Sequence, residues 1–234
     1  MEITEKQFFD YMHCPALFEM KYVKGIAISE HQTMSDLLNR VANYFFLHLL
    51  NEHICTTGEL KKKWDSICEA NPHIIDEKKA MDGISLILKF ANWAEQNKIV
   101  VLDVDSRYNI VVNRTEIVGN TGAILALPGD KQEMIVTNFS NKMPDQSTID
   151  MRMKYTLQAY GFEQTHGRPL SGIRVLSVKH FKDFYTTRNK EDFRRLRTAI
   201  DNIGKSIEQR LFYPRESVTC PQCPAKQYCR YWYC

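Results

Sequence analysis

The feature that most constrains this chain is a pair of cysteine motifs at its two ends. Near the C-terminus, "TCPQCPAKQYC" sets Cys220, Cys223 and Cys229 in a short run, and Cys234 closes the sequence. Near the N-terminus, "DYMHCPALFEM" carries Cys14, followed by proline as Cys220 and Cys223 are. Proline removes a backbone donor and forbids ordinary helix around the tail cysteines, so the sulfurs sit on turns. Two cysteines so spaced can grip one inorganic centre. Tetrahedral zinc and iron–sulfur clusters both take four such ligands. The tail offers Cys220, Cys223, Cys229 and Cys234, and Cys14 is a fifth candidate. Cys55 and Cys68 fall inside helical patterns and read as small core residues.

The chain has 234 residues, 44% hydrophobic and 25% charged, enough for one large domain with a substantial core or two small ones. No apolar run is long enough to cross a bilayer. The opening "MEITEKQFFD" lacks the basic-then-apolar layout of a signal peptide, so the expected location is cytoplasmic, with no membrane partner. In a reducing compartment clustered cysteines are metal ligands more often than disulfides. The formal net charge of +3 permits a nucleic-acid partner without demanding one.

Apolar periodicity divides the chain by texture. Thr4 is a helix N-cap, and Phe8, Phe9, Met12, Leu17 and Met20 form a stripe broken at Cys14-Pro15. Leu37, Leu38, Val41, Phe45 and Leu49 mark a strong helix, and "GELKKKWDSICEA" and "DEKKAMDGISLILKFANWAEQN" mark two more. From Lys98 the chain turns to β-branched residues and turn signals, predicting three or four strands with a hairpin at Pro128-Gly129-Asp130. Asp103 and Asp105 alternate with Leu102 and Val104 and read as the wet face of a strand. "STIDMRMKYTLQAYGFEQTH" predicts one helix, "LSGIRVLSVKHFKDFYTTR" one or two strands, and Asn189 caps a long final helix. The expected architecture is α/β (α+β). Helices occupy 1–97, an α/β core 98–213, and the cysteine tail 214–234.

"QFFDYMHCPALFEMKYV" and "YPRESVTCPQCPAKQYC" together resemble the split cysteine motif of RecB-family nucleases, the group within the PD-(D/E)XK superfamily that includes CRISPR adaptation nucleases. The resemblance implies a restriction-endonuclease-like core carrying an N-terminal helical insertion. It also implies that Cys14, Cys220, Cys223 and Cys229 hold a 4Fe-4S cluster stapling the tail to the first helix, with Cys234 spare. Zinc held by Cys220, Cys223, Cys229 and Cys234 is the alternative, and it leaves Cys14-Pro15 without a purpose.

Such nucleases hold magnesium on one strand carboxylate and on an Asp/Glu-x-Lys pair of the next strand. Matched to that pattern, "EIVGNTGAIL" puts Gly122 where the first aspartate belongs, and "IVTNFSNK" puts Asn138 and Ser140 where carboxylate and lysine belong. Ser35 and Asn39 stand in place of a Gly-x-x-x-His helix, and Thr156 in place of a glutamine four residues before Tyr160. The expectation is a pseudonuclease with no catalytic set, with Glu116 as the carboxylate that could rescue one. Cations at Arg152, Lys154, Lys179, Lys182 and Arg188, interleaved with Tyr155, Tyr160, Phe181, Phe184 and Tyr185, point to nucleic acid, DNA in the first place, as the expected partner. Three functions follow. The first is a noncatalytic, cluster-stabilised subunit of a DNA-processing assembly (replication, recombination or transcription) that contacts other protein subunits. The second is an active magnesium- or manganese-dependent exodeoxyribonuclease, and the third is a purely structural partner.

Overall fold

A computed structural model of the chain describes residues 1–28 and 32–230. In chain order the strands and α-helices are β1 (Glu2–Thr4), α1 (Glu5–His13), α2 (Pro15–Phe18), α3 (Met34–Leu50), α4 (Thr57–Ala70), α5 (Glu77–Gln96), β2 (Val101–Asp103), β3 (Arg107–Val112), β4 (Thr115–Asn120), β5 (Ala123–Leu127), β6 (Lys131–Asn138), α6 (Gln146–Asp150), α7 (Met153–His166), β7 (Gly172–Ser177), β8 (Lys182–Thr186) and α8 (Lys190–Glu208). A π-helical turn, Glu19–Val23, extends α2. The architecture is mixed α/β, as the sequence predicts. No helix among the described residues is long and apolar enough to cross a membrane. Internal contacts sort the chain into two compact units, each built from segments separated in sequence.

The first unit holds residues 1–31, 107–119 and 189–234. Its sheet has the order β1-β4-β3, with β1 parallel to β4 and Ile3 beside Ile117. A full capping box at Thr4, in which Gln7 and Thr4 exchange hydrogen bonds, starts α1. The stripe of α8 turns Leu196 and Ile200 inward, and Asn189 caps that helix as predicted. Tyr108 is buried and donates its hydroxyl to Glu5 Oε2 at 2.5 Å.

The second unit holds residues 32–106 and 120–188. Its sheet runs β2-β5-β6-β7-β8, and every neighbouring pair is antiparallel except β6 and β7. The parallel pair requires a crossover, which α7 provides. The hairpin between β5 and β6 turns at Pro128-Gly129-Asp130, where Gly129 and Asp130 take left-handed conformations. Helices α3, α4 and α5 bring Leu37, Phe46, Leu60, Trp64, Ile87 and Phe90 into one cluster that continues into the sheet through Leu125, Ile135 and Phe139. Cys55 and Cys68 pack half-buried against that cluster, in keeping with their reading as core.

Three expectations need correction. The region from Lys98 to Ser140 holds five strands rather than three or four, and "EIVGNTGAIL" is divided between β4 and β5. The break falls at Thr121, whose N–H leaves the sheet direction to bond Ser106 O at 2.9 Å. The single helix predicted from Ser147 to His166 is two, α6 and α7, interrupted at Met151–Arg152. Asp103 and Asp105 do not line a wet strand face. A bulge between Val101 and Asp103 turns Leu102 outward, and Asp105 sits at φ 55° in a tight turn where Asp103 accepts from Ser106.

Gly83 on α5 lies against the buried Trp64 ring, where an added Cβ would stand 2.2 Å from Cζ2. Trp64 is further fixed by its Nε1–H to Ala80 O at 2.9 Å, so it cannot retreat. Gly83→Ala should therefore destabilise the protein by about 1–3 kcal/mol despite its better helix propensity, measurable as a lowered urea midpoint.

Candidate functional sites: a sulfur-lined cavity and a neutral strand edge

In the first unit, α1 ends at Cys14 because Pro15 cannot continue the hydrogen-bond ladder, and α2 restarts with that proline in its first turn. The chain after α8 returns to this break. Ala16 N donates to Tyr213 O at 3.2 Å, and Tyr11 Oη donates to Leu211 O at 2.7 Å. Phe18 and Phe212 stack at 6.0 Å beside Tyr11, and Arg215 reaches back to Met12 O. The tail is thus held to α1 and α2 by apolar and backbone contacts before any cysteine is considered.

Beyond Arg215, two single-turn 3-10 helices at Cys220–Gln222 and Lys226–Tyr228 fold the tail onto α2. Cys14, Cys220, Cys223 and Cys229 then line one cavity together with Leu17, Met20, Pro214 and His13, with about 420 Å³ of empty space counting the part open to solvent. Arg215 N donates to Cys14 Sγ at 3.5 Å and Ser217 N to Cys220 Sγ at 3.3 Å. Burial raises the Cys223 thiol above its ordinary value, opposed by a backbone hydrogen bond from Ala225 and reinforced by Cys14, Cys229 and Cys220 nearby. The N–H donors aimed at Cys14 and Cys220 favour the thiolate form of those two sulfurs, whereas apolar burial opposes it at Cys223. Among the described residues, no group of three or more histidine, cysteine, aspartate or glutamate side chains is arranged to hold a single metal ion. Cys234 lies outside the described residues.

The sequence-matched catalytic positions belong to the second unit, apart from Glu116. Asn138 ends β6 and Ser140 follows it, while Phe139 turns into the core against Phe90. Both polar side chains already serve the local backbone: Asn138 Oδ1 accepts from Ser140 N at 2.8 Å, and Ser140 Oγ accepts from Lys142 N at 3.1 Å. Asn39 on α3 accepts from Thr137 Oγ1 at 2.8 Å, so it does face the end of β6. Ser35 lies one turn earlier on α3 and is half-buried. Gly122 immediately precedes β5, where a Cβ would stand 2.9 Å from Ile135 O and 3.3 Å from Met134 Cγ. The backbone has closed over the place where the first carboxylate would start. Glu116 lies on β4 in the three-stranded sheet of the first unit, where its carboxylate accepts from Asn109 Nδ2.

The predicted cations have separate fates. Arg188 is a framework residue: its guanidinium donates to Thr156 Oγ1 at 2.8 Å, Thr186 Oγ1 at 2.7 Å and Ile149 O at 3.1 Å, tying α6, α7 and β8 together. Thr156 thereby acquires a structural role. Arg152 is exposed over the Tyr155 ring at 5.5 Å, and Lys154 lies within electrostatic reach of Asp105. Lys179 and Lys182 flank the turn between β7 and β8, and both are exposed. Tyr155 and Phe184 are buried in the core, whereas Phe181 and Tyr185 are exposed. Sequence reasoning missed the exposed Lys89 on α5, whose ammonium lies 5.6 Å from the Phe181 ring.

No family model and no curated protein matches this sequence. Among solved structures, a crystal structure described as a "Putative exonuclease" from Eubacterium rectale aligns over 98% of this chain and 88% of its own, with TM-score 0.61 and 10% identity. A second, SSO0001, aligns over 97% and 93% at 13% identity, but its TM-score is only 0.42. The first likeness establishes a nuclease-like fold, and at 10% identity it establishes the fold alone.

The closed backbone at Gly122 and the open turn at Asn138 separate two substitutions. Asn138→Asp keeps the acceptor for Ser140 N and should change stability by no more than about 0.5 kcal/mol. Gly122→Asp should cost about 1–3 kcal/mol by forcing the β5–β6 ladder apart. Thermal unfolding of the two single variants checks both values.

Proposed function

We propose that this chain is a noncatalytic nuclease-like subunit that binds nucleic acid, its first unit stapled by an iron–sulfur cluster on Cys14, Cys220, Cys223 and Cys229. The observation that carries the noncatalytic reading is the strand edge of the second unit. A hydrolytic magnesium site needs carboxylates converging on one ion. Asn138 and Ser140 are neutral and engaged with their own backbone, and Gly122 has no room for a side chain. An active exonuclease would need its carboxylates elsewhere, and Glu116 belongs to a different sheet.

The cluster reading is supported by four thiols around one apolar cavity with backbone N–H groups aimed at two of the sulfurs. Cys14 supplies the wall that a zinc site confined to the tail would leave idle. A cluster is also a larger body than one ion, so it suits sulfurs that surround a cavity rather than converge on a point. When bound it would supply cross-linking between the chain ends. Loss of the nucleic-acid surface leaves only the structural-partner reading.

Anaerobically purified protein should be brown, with iron and sulfide in equal amounts, and Cys14→Ser should bleach it while Cys55→Ser does not. Colourless protein containing one zinc, unaffected by Cys14→Ser, would overturn the cluster assignment. The bleached variant should remain folded, because Phe18 and Phe212 still hold the tail as far as Arg215. Hydrogen exchange should then rise sharply beyond Arg215 and little before it.

Incubation with linear DNA and magnesium or manganese should yield no cleavage. Cleavage that disappears in Glu116→Ala would show that the catalytic set had moved rather than vanished. Binding of single-stranded DNA should persist in chelator and weaken steeply with salt.

A further inference from the structure

The parallel pairing of β6 with β7 brings their following loops together, and those loops carry a concentration of unneutralised cations. Val178 N donates to Asn138 O at 3.0 Å, extending the ladder past both strand ends. Lys179 Nζ then reaches Asn141 Oδ1 at 2.8 Å, so the turn after β7 lies directly beside the Asn138–Lys142 segment. Lys142, Lys179, His180 and Lys182 are exposed on these two loops, and Lys89 joins them from α5. None of the ion pairs among the described residues uses any of the five. By contrast, Arg194, Lys205, Lys21 and Arg174 all have carboxylate partners. The nearest carboxylates in sequence are engaged elsewhere: Asp183 pairs with Arg174 at 3.0 Å, and Asp145 caps α6 through Ser147 and Thr148. On α5, the positions three and four residues from Lys89 are Ser85, Leu86, Asn92 and Trp93, none of them acidic.

At the apex of the same turn stands Phe181. It is 51% exposed, and its backbone is left-handed at φ 49°. A bulky residue in that region costs roughly 1–2 kcal/mol relative to glycine, and exposing the ring forgoes its burial energy as well. Folding gains little from a phenylalanine here; among the described residues Lys89 is the cation over its face. A planar ring held out among lysines has the chemistry for stacking on a base while the ammonium groups meet the phosphates.

We infer that the β7–β8 turn is the nucleic-acid contact of the second unit. In it Phe181 stacks on an unpaired base, and Lys142, Lys179 and Lys182 hold the flanking phosphodiesters of a single strand. The inference rests on the nucleic-acid reading proposed above and gives it a location. Where the related nucleases hold a cation, this strand edge offers neutral side chains surrounded by positive charge, so the phosphate backbone is held directly.

The test is fluorescence anisotropy of a labelled oligothymidylate in chelator, over a salt series, with the intact protein. Phe181→Ala should weaken binding about tenfold, the effect of losing one stacked base, while Phe181→Trp retains it. Lys179→Glu and Lys142→Glu should each reduce the salt slope by at least about 0.7, whereas Lys61→Glu, with the same change in net charge on exposed α4, leaves it unaltered. Phe181→Gly should bind as poorly as Phe181→Ala yet melt no lower than the parent, because it relieves the backbone strain. If the parent binds and these turn variants bind equally well, the turn is not the contact, although the nucleic-acid reading survives. If the parent binds no oligonucleotide even at low salt, that reading fails and the inference with it. If poly-glutamate displaces the strand and lysine variants weaken both ligands while Phe181→Ala weakens neither, the surface takes an acidic protein, and the inference is overturned.

Discussion

The parallel pairing of β6 with β7 is the interaction on which the chemistry of the second unit depends. Antiparallel neighbours end on opposite edges of a sheet, whereas parallel neighbours deliver both C-terminal ends to one edge. The register sets Asn138 beside Ser177, so the loops that follow meet there. The crossover helix α7 makes the pairing possible, and Arg188 locks that helix to α6 and β8 through threonine hydroxyls and a backbone carbonyl. An edge built this way is rigid, as a site for any ligand needs to be. At this edge Asn138 and Ser140 are neutral, and Lys142, Lys179 and Lys182 are exposed on the segments that follow.

The first unit relies on a different arrangement. Its two ends are distant in sequence, and closing so long a loop is costly in chain entropy. Stacked Phe18 and Phe212, with Tyr11 beside them and backbone bonds to Leu211 and Tyr213, meet part of that cost with ordinary packing. Past Arg215 the tail has few apolar anchors. Ala225 is buried with Ala16, Leu17 and Met20, but the sulfurs around them are only half-buried. The tail beyond Arg215 is thus less firmly packed than α8, whose Leu196 and Ile200 are fully buried.

Much of this was legible in the sequence, for identifiable reasons. Thr4, Asn189 and the Cys14-Pro15 break are local signals, and each appears where its chemistry dictates. The gathering of Cys14 with Cys220, Cys223 and Cys229 around one cavity was legible through the family resemblance, since no local rule links residues so far apart. What escaped was tertiary. At the sheet change Thr121 N–H bonds Ser106 O, and Glu116 lies in the three-stranded sheet, neither of which the linear pattern shows. Arg188 looked like a surface cation because composition cannot show that five acceptors lie within its reach. Phe181 looked like any other aromatic until its positive φ and exposure set it apart from the buried Tyr155 and Phe184.

On the reading proposed above, the strand edge at the end of β6 holds no divalent cation, because Asn138 and Ser140 are neutral and Gly122 is closed against Ile135 O. Manganese titration of the intact protein, followed by the electron paramagnetic resonance signal of the free ion, tests it most directly. The account predicts that the signal grows in proportion to added manganese, with no stoichiometric binding in the second unit. A stoichiometric manganese site that disappears in Asn138→Ala would contradict it.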